Sequence, residues 1–138
     1  MSFTPPPLFH KRKSEAHAFP RRLLEIHGVL ESVNGIKDTE SVHYDSLVAE
    51  YERLVHVICE DHVNAAELHI QDEIILARLK AEIKNECNGV IDYRLAAERW
   101  HLEIGSRSKD RIVSFGEKLS CRFVAALLQD RVSLSLEV

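Results

Sequence analysis

Apolar residues recur every three to four positions along most of the chain, and this spacing constrains its fold more than any other feature. The pattern runs from Tyr44 to Ala66, from 75 to 95 and from 112 to 127. Spacing of this kind predicts amphipathic helices, each of which buries one face against its neighbours. We therefore expect an all-α fold with about four helices in a mostly antiparallel bundle.

Local signals indicate where each helix begins and ends. Pro20 suits a first turn, and Asn34-Gly35 suits the end of a helix. Thr39 or Ser41 and then Asp72 suit the caps of the next two helices, and Ser106 or Ser108 suits the cap of the last. The third helix has a weak point at Asn88-Gly89, where a bend is expected. The predicted helices are 19–33, 41–69, 73 to about 102–105, and 108–130.

Two terminal segments do not follow the helical pattern. Residues 1–18 contain Pro5-Pro6-Pro7 and a basic cluster at 11–13, a composition that predicts a flexible arm. In 132–138 apolar and polar residues alternate, which predicts a short strand-like tail. The domain prediction is therefore an arm at 1–18, a single helical domain at 19–131 and a tail at 132–138.

Bulk composition excludes some function classes. The chain has 138 residues with 45% apolar content, enough for one ordinary core. A net charge of −4 argues against a general nucleic-acid binder. There is no apolar run of the roughly 20 residues needed to span a bilayer, so we expect a cytoplasmic protein with no membrane partner.

The three widely spaced cysteines predict buried, reduced thiols and no disulfide framework.

Two Glu-x-x-His pairs raise the possibility of a metal site. Glu98 with His101, and Glu40 with His43, have the spacing found in carboxylate-bridged bundle sites. Neither pair is accompanied by a second carboxylate of evident inward orientation. Glycine-rich phosphate-binding motifs do not occur in the sequence. We therefore expect no metal and no other cofactor.

The segment from Ser114 to Cys121 combines polar residues, glycine and apolar periodicity. On a helix, Glu117, Ser120 and Cys121 occupy neighbouring positions on one face, while Phe115 and Leu119 lie nearer the opposite face. This arrangement predicts a small polar site on a helix whose other side is buried.

A long ordered string around that segment resembles the aspartokinases of fungi. It comprises 107–110, 114–123 and 126–131, with further similarity at 61–66 and 86–93, and the resemblance covers most of 20–131. Aspartokinases phosphorylate the side-chain carboxylate of aspartate with ATP on an amino-acid-kinase fold. Their Lys-Phe-Gly-Gly phosphate loop and ACT domains have no counterpart in this sequence. The resemblance therefore implies a fragment of the catalytic domain that is inactive as a kinase.

The resemblance also implies roles for individual residues. The glutamate of the family's Gly-Glu pair contacts the amino-acid substrate, and it corresponds to Glu117. Ser114, Lys118 and Ser120 lie beside it as substrate-binding candidates.

Histidines are the candidate acid/base partners of Glu117, because proton transfer needs a group that titrates near neutral pH. The candidates are His56, His62 and His101.

One hypothesis is an ATP-independent enzyme for a non-redox step, a cyclisation or isomerisation in a biosynthetic pathway, acting on a small-molecule ligand. The alternative is a non-catalytic module that dimerises or docks on a full-length aspartokinase. A homodimer is expected, since helices without the family's sheet have an apolar face to cover.

Overall fold

The computed structural model describes residues 7–36, 41–100 and 104–136, with side chains from residue 19 onward. Its four helices are α1 (Pro7–Asn34), α2 (Val42–His69), α3 (Glu73–Arg99) and α4 (Ser106–Leu136). No strand occurs in the described ranges. The prediction of an all-α fold with four helices is confirmed.

The helices close into a ring of neighbours. α1 packs against α2, α2 against α3, α3 against α4, and α4 back against α1. Because the connections between successive helices are short, packed neighbours run in opposite directions. The core between them contains fully buried side chains from every helix, including Ile26, Leu30, Tyr51, Val55, Ile58, Leu79, Ile83, Ile112 and Leu119.

Three predicted helix boundaries are confirmed, two of them by capping contacts. The hydroxyl of Ser41 accepts a hydrogen bond from the backbone N–H of Tyr44 at 3.1 Å. The carboxylate of Asp72 accepts from the backbone N–H groups two and three residues later, at 2.9 and 3.0 Å. α1 ends at Asn34, immediately before Gly35. Local sequence chemistry therefore sets these boundaries.

The first helix is longer than predicted. α1 begins at Pro7 and not at 19. Proline is tolerated at a first helical position, because its missing N–H would have no partner there. Half of the residues between it and Pro20 are charged or alanine, and none of them is glycine or proline, which allows a helix to form. Composition alone suggested an arm, but the backbone of 7–18 is helical.

The strand-like tail prediction is wrong for the residues described. α4 continues through Val132 and Leu134 to Leu136. A lone strand would leave its backbone polar groups unpaired, whereas a continuing helix satisfies them internally. No glycine or proline follows Gly116 to stop the helix. Val138 lies outside the described residues.

α3 is a single helix through the predicted weak point at Asn88-Gly89. One contact from α2 supports this part of it. The hydroxyl of buried Tyr51 donates a hydrogen bond of 2.6 Å to the backbone carbonyl of Val90. The burial of its ring also raises the pKa of Tyr51, so the phenol stays protonated and remains a donor.

Candidate functional site

The polar segment lies in α4, with the facial arrangement that its spacing predicts. Glu117, Ser120 and Cys121 are exposed, while Phe115 and Leu119 are buried. The helix therefore carries polar groups on a surface whose opposite side belongs to the core. Exposure of Cys121 corrects the expectation that all the cysteines are buried.

Gly116 is explained by packing between α4 and α1. A Cβ atom at this position would lie 2.5 Å from Cδ1 of Leu23 and 3.4 Å from Cζ of Phe19. The first distance is far below van der Waals contact between carbon atoms. Glycine lets α1 approach α4 at this point, so Gly116 is a structural residue next to the candidate site.

A groove of about 340 Å³ lies between α3 and α4, beside the polar segment. Two of the substrate-binding candidates, Ser114 and Lys118, line it. Its volume is at the lower end of the range for small-molecule sites. The complete lining is Glu86, Val90, Arg107, Asp110, Arg111, Ser114, Phe115 and Lys118.

Two charged residues of the groove are held by neighbours. Oε1 of Glu86 accepts a hydrogen bond of 3.0 Å from Arg122. The same guanidinium lies 3.6 Å from a carboxylate oxygen of Glu82, so one cation is shared by two carboxylates. The guanidinium of Arg111 lies 4.7 Å from the centre of the Tyr93 ring, a cation–π contact that orients it.

The other charges of the groove are unpaired within the described ranges. Arg107, Lys118 and Asp110 make no ion pair with another described residue. The lining has three positive groups, Arg107, Arg111 and Lys118, and two negative groups, Glu86 and Asp110. The lining therefore carries one more positive than negative charge.

Glu117 and Ser120 do not line this groove. Glu117 is exposed, and it forms no hydrogen bond or ion pair within the part of the chain that the structure describes. The substrate-binding candidates are thus divided: Ser114 and Lys118 face the groove, whereas Ser120 lies on the exposed side of α4.

His62 lies on α2, half-buried and close to α1. Its Nδ1 is 2.8 Å from the backbone carbonyl oxygen of Ile58, so Nδ1 carries the proton and donates. Its ring packs edge-on against Phe19, with 5.0 Å between the ring centroids. Burial lowers the pKa of His62, which leaves the imidazole neutral near pH 7. Phe19 also lies beside Gly116, so its ring contacts both His62 and the helix that carries Glu117.

Among the described residues, no contact links the predicted acid/base candidates to one another. His56 is exposed on α2, and no described hydrogen bond or ion pair joins it or His62 to Glu117. His101 lies outside the described residues, as does Glu40 of the second Glu-x-x-His pair. Across the ranges with described side chains, no group of three His, Cys, Asp or Glu residues is placed to hold a metal ion.

Sequence reasoning missed two of the cations in the groove. Arg107 and Arg111 are four residues apart, and Ser114 and Lys118 continue the same helical face at seven and eleven residues from Arg107. That spacing is a local signal that could have indicated a basic face on α4.

A buried carboxylate was also missed. Asp130 accepts hydrogen bonds from the backbone N–H of Asp72 at 2.8 Å and of Gln71 at 3.1 Å. It therefore fastens α4 to the turn between α2 and α3. These partners are almost sixty residues away in sequence, so no local spacing predicts the contact.

None of the helices in the described ranges has the length and apolar content needed to cross a membrane.

Comparison with known proteins places the chain beside fungal aspartokinases. It is 34% identical over 113 residues to "Aspartate kinase FUB3" of Gibberella moniliformis, covering 80% of this chain and 21% of that protein. It is 41% identical over 78 residues to "Aspartokinase" of Schizosaccharomyces pombe and 36% identical over 83 residues to "Aspartokinase" of Saccharomyces cerevisiae. These two alignments cover 56% and 60% of this chain, and 15% and 16% of the relatives.

No protein-family profile and no solved structure matches the chain. The chain spans about a fifth or less of the length of the curated relatives described above. The similarity therefore concerns one segment of a longer protein type. The sequence, from α1 to α4, resembles a helical part of the fungal aspartokinases.

Proposed function

We propose that this chain is an aspartokinase-derived helical unit that binds a small acidic molecule in the groove between α3 and α4. The charge balance of the groove carries the proposal. Arg107 and Lys118 lack ion-pair partners among the described residues, and Arg111 is oriented by Tyr93. All three cations are exposed, so an anion that enters the groove from solvent would meet several positive groups at once.

The remaining groups narrow the ligand to an acidic amino acid. Asp110 is a lining carboxylate without a described ion pair, and it suits an ammonium group. Ser114 supplies a hydroxyl that can donate to a carboxylate. Val90 and Phe115 provide apolar contact for a short carbon chain. The relatives are named as kinases of aspartate, an amino acid with two carboxylates, which agrees with this chemistry.

Isothermal titration calorimetry with L-aspartate, succinate and L-lysine tests the proposal. We expect L-aspartate and succinate to bind and L-lysine not to bind. Lys118→Ala should weaken L-aspartate binding by about tenfold, the effect of losing one partly exposed charged hydrogen bond. Lys109→Ala is the matched control, because Lys109 is exposed on the same helix and does not line the groove.

Two results would contradict the proposal. One is the absence of L-aspartate and succinate binding at millimolar concentration. The other is an equal loss of affinity in Lys118→Ala and Lys109→Ala, which would indicate a general charge effect and not a site.

A second candidate function is proton transfer, and the exposure of Glu117 favours it. This carboxylate forms no described contact, and it lies three residues beyond Ser114 of the groove, on a neighbouring position of the helix. A ligand that extends from the groove over Ser114 would meet it. Glu117 would then act as the acid or base of an ATP-independent cyclisation or isomerisation.

Exchange of ligand C–H protons with heavy water, followed by proton NMR without ATP, tests this second function. Glu117→Gln should abolish exchange, and Lys109→Ala should leave it unchanged. Exchange at the wild-type rate in Glu117→Gln and in the His56, His62 and His101 substitutions would exclude the acid/base assignment.

A further inference from the structure

Cys59 of α2 and Cys87 of α3 lie against each other where their helices meet. Cys87 is buried in the core, and Cys59 is half-buried and packs against the same cluster of core residues. The two thiols are within hydrogen-bonding reach of each other. Burial and the neighbouring thiol of Cys59 raise the pKa of Cys87. Two cysteines that are 28 positions apart in sequence therefore form a pair in the fold.

Two contacts between α2 and α3 bracket this pair. The hydroxyl of Tyr51 donates to the backbone carbonyl of Val90, and Nζ of Lys80 lies 2.6 Å from Oε1 of Glu67. On α2 the cysteine lies between Tyr51 and Glu67, and on α3 it lies between Lys80 and Val90. Because these helices are antiparallel, both cysteines lie on the length of the helix pair that these contacts enclose.

The direction of Cys87 on α3 agrees with this register. Cys87 is seven residues after Lys80, or about 20° short of two helical turns, so both residues point toward α2. Glu86 is one position earlier and faces α4, where Arg122 binds its carboxylate. Cys87 therefore belongs to the interface with α2, and Glu86 belongs to the interface with α4.

We infer that Cys59 and Cys87 are a redox-sensitive pair, which closes into a disulfide between α2 and α3 when a small-molecule disulfide oxidises it. Packed helix axes lie about 8 to 10 Å apart. Facing residues on them can reach the Cα separation of about 4.4 to 6.8 Å that a disulfide requires. In the structure both thiols are free, so it represents the reduced form of the pair.

The exchange has two steps. Cys59 loses its proton to solvent, and its sulfur attacks the small disulfide, which forms a mixed disulfide and releases one thiolate. Cys87 then loses its proton, and its sulfur attacks the sulfur of Cys59 and displaces the second thiolate. The two thiolates take up two protons, so the small disulfide is reduced to two thiols as the protein dithiol is oxidised. Because the pKa of Cys87 is raised, the second step should be slow and should accelerate with pH.

The disulfide would hold the part of α3 that lines the groove. Glu86 and Val90, on either side of Cys87 in sequence, are both lining residues. Oxidation would therefore tie one wall of the groove covalently to α2. The inference does not depend on the ligand proposed for the groove.

Mass spectrometry of the Cys121→Ser variant treated with bis(2-hydroxyethyl) disulfide tests the inference. Cys121 is exposed on α4, so its substitution removes a competing thiol without disturbing the core. We expect a mixed disulfide at Cys59, followed by a form about 2 Da lighter than the reduced chain, which appears faster at about pH 9 than at about pH 7. Trypsin should then release residues 54–78 linked to residues 85–94, and dithiothreitol should separate them. Cys59→Ser/Cys121→Ser is the matched control and should show no such loss of mass.

The equilibrium constant of the exchange distinguishes a pair that the fold holds together from two thiols that meet at random. In an unfolded chain, thiols at this separation have an effective concentration on the order of millimolar. The folded chain should exceed the value measured in urea about tenfold or more, and the oxidised chain should have the higher Tm. A folded chain that stops at the mixed disulfide would overturn the inference. An effective concentration no higher in the folded chain than in urea would also overturn it.

Discussion

Replacing Gly116 with alanine should destabilise the bundle, although alanine is the better helix former. The added Cβ would meet Cδ1 of Leu23 at 2.5 Å and Cζ of Phe19 at 3.4 Å. Leu23 is buried between the helices, so its side chain can turn away only by repacking against its neighbours. Either α1 or this side chain must therefore move.

Two opposing effects set the change in the free energy of unfolding. Alanine gains about 1 kcal/mol over glycine inside a helix. Forcing one extra carbon into a packed core costs about 1 to 3 kcal/mol. We expect a net loss of up to about 2 kcal/mol, or a few degrees in Tm for a chain of this size. Gly89→Ala has the same gain in helix propensity without the packing cost, since no atom outside its own stretch of helix backbone lies within 4 Å of the added Cβ.

Urea unfolding followed by far-UV circular dichroism measures both variants. Gly89→Ala should raise the free energy of unfolding by about 0.5 to 1 kcal/mol, and Gly116→Ala should lower it. In a Leu23→Ala background, which removes the clashing carbon, the effect of Gly116→Ala should become stabilising. If Gly116→Ala stabilises the otherwise unchanged chain as much as Gly89→Ala does, the packing argument is refuted.

Two further perturbations test other contacts. Asp130→Ala should lower the free energy of unfolding by about 2 to 3 kcal/mol, because the charged hydrogen bonds to the α2–α3 turn are lost. The exposed control Asp92→Ala should change it by less than about 0.5 kcal/mol, and equal effects would contradict the role of Asp130 in joining α4 to that turn. Burial lowers the pKa of His62 below the unfolded value of about 6.5, so the unfolded chain takes up the proton first and stability falls as pH drops below about 6.5. His62→Gln should reduce this fall between about pH 7.5 and about pH 5.5, and His56→Gln should not; an unchanged fall in His62→Gln would exclude His62 as its source.

The helical fold could be predicted because its causes are local. Apolar periodicity marks the buried faces, and the side chains of Ser41 and Asp72 satisfy N–H groups within their own first turns. The end of α4 shows the limit of such reasoning. Val132, Leu134 and Leu136 alternate with polar residues, a pattern that fits a strand, yet the chain offers no second strand to pair with in the described ranges.

The candidate site was harder to predict because it depends on contacts between distant residues. The similarity to aspartokinases drew attention to Glu117, but the groove is formed where Glu86 of α3 meets α4. Glu86 is held there by Arg122, and these two residues are 36 positions apart in sequence. Local spacing identifies the faces of a helix, whereas the neighbour that each face meets depends on the packing of the whole bundle.

The hydrogen bond from Tyr51 to Val90 has a consequence for the motions of α3. Gly89 is a point at which a helix opens easily, because glycine adds backbone freedom and no side-chain packing. The Tyr51 phenol holds the next carbonyl from across the core. Opening of α3 at this point therefore requires that the hydrogen bond between Tyr51 of α2 and Val90 breaks. Amide hydrogens near the middle of α3 should then exchange with solvent only in a collective opening of both helices.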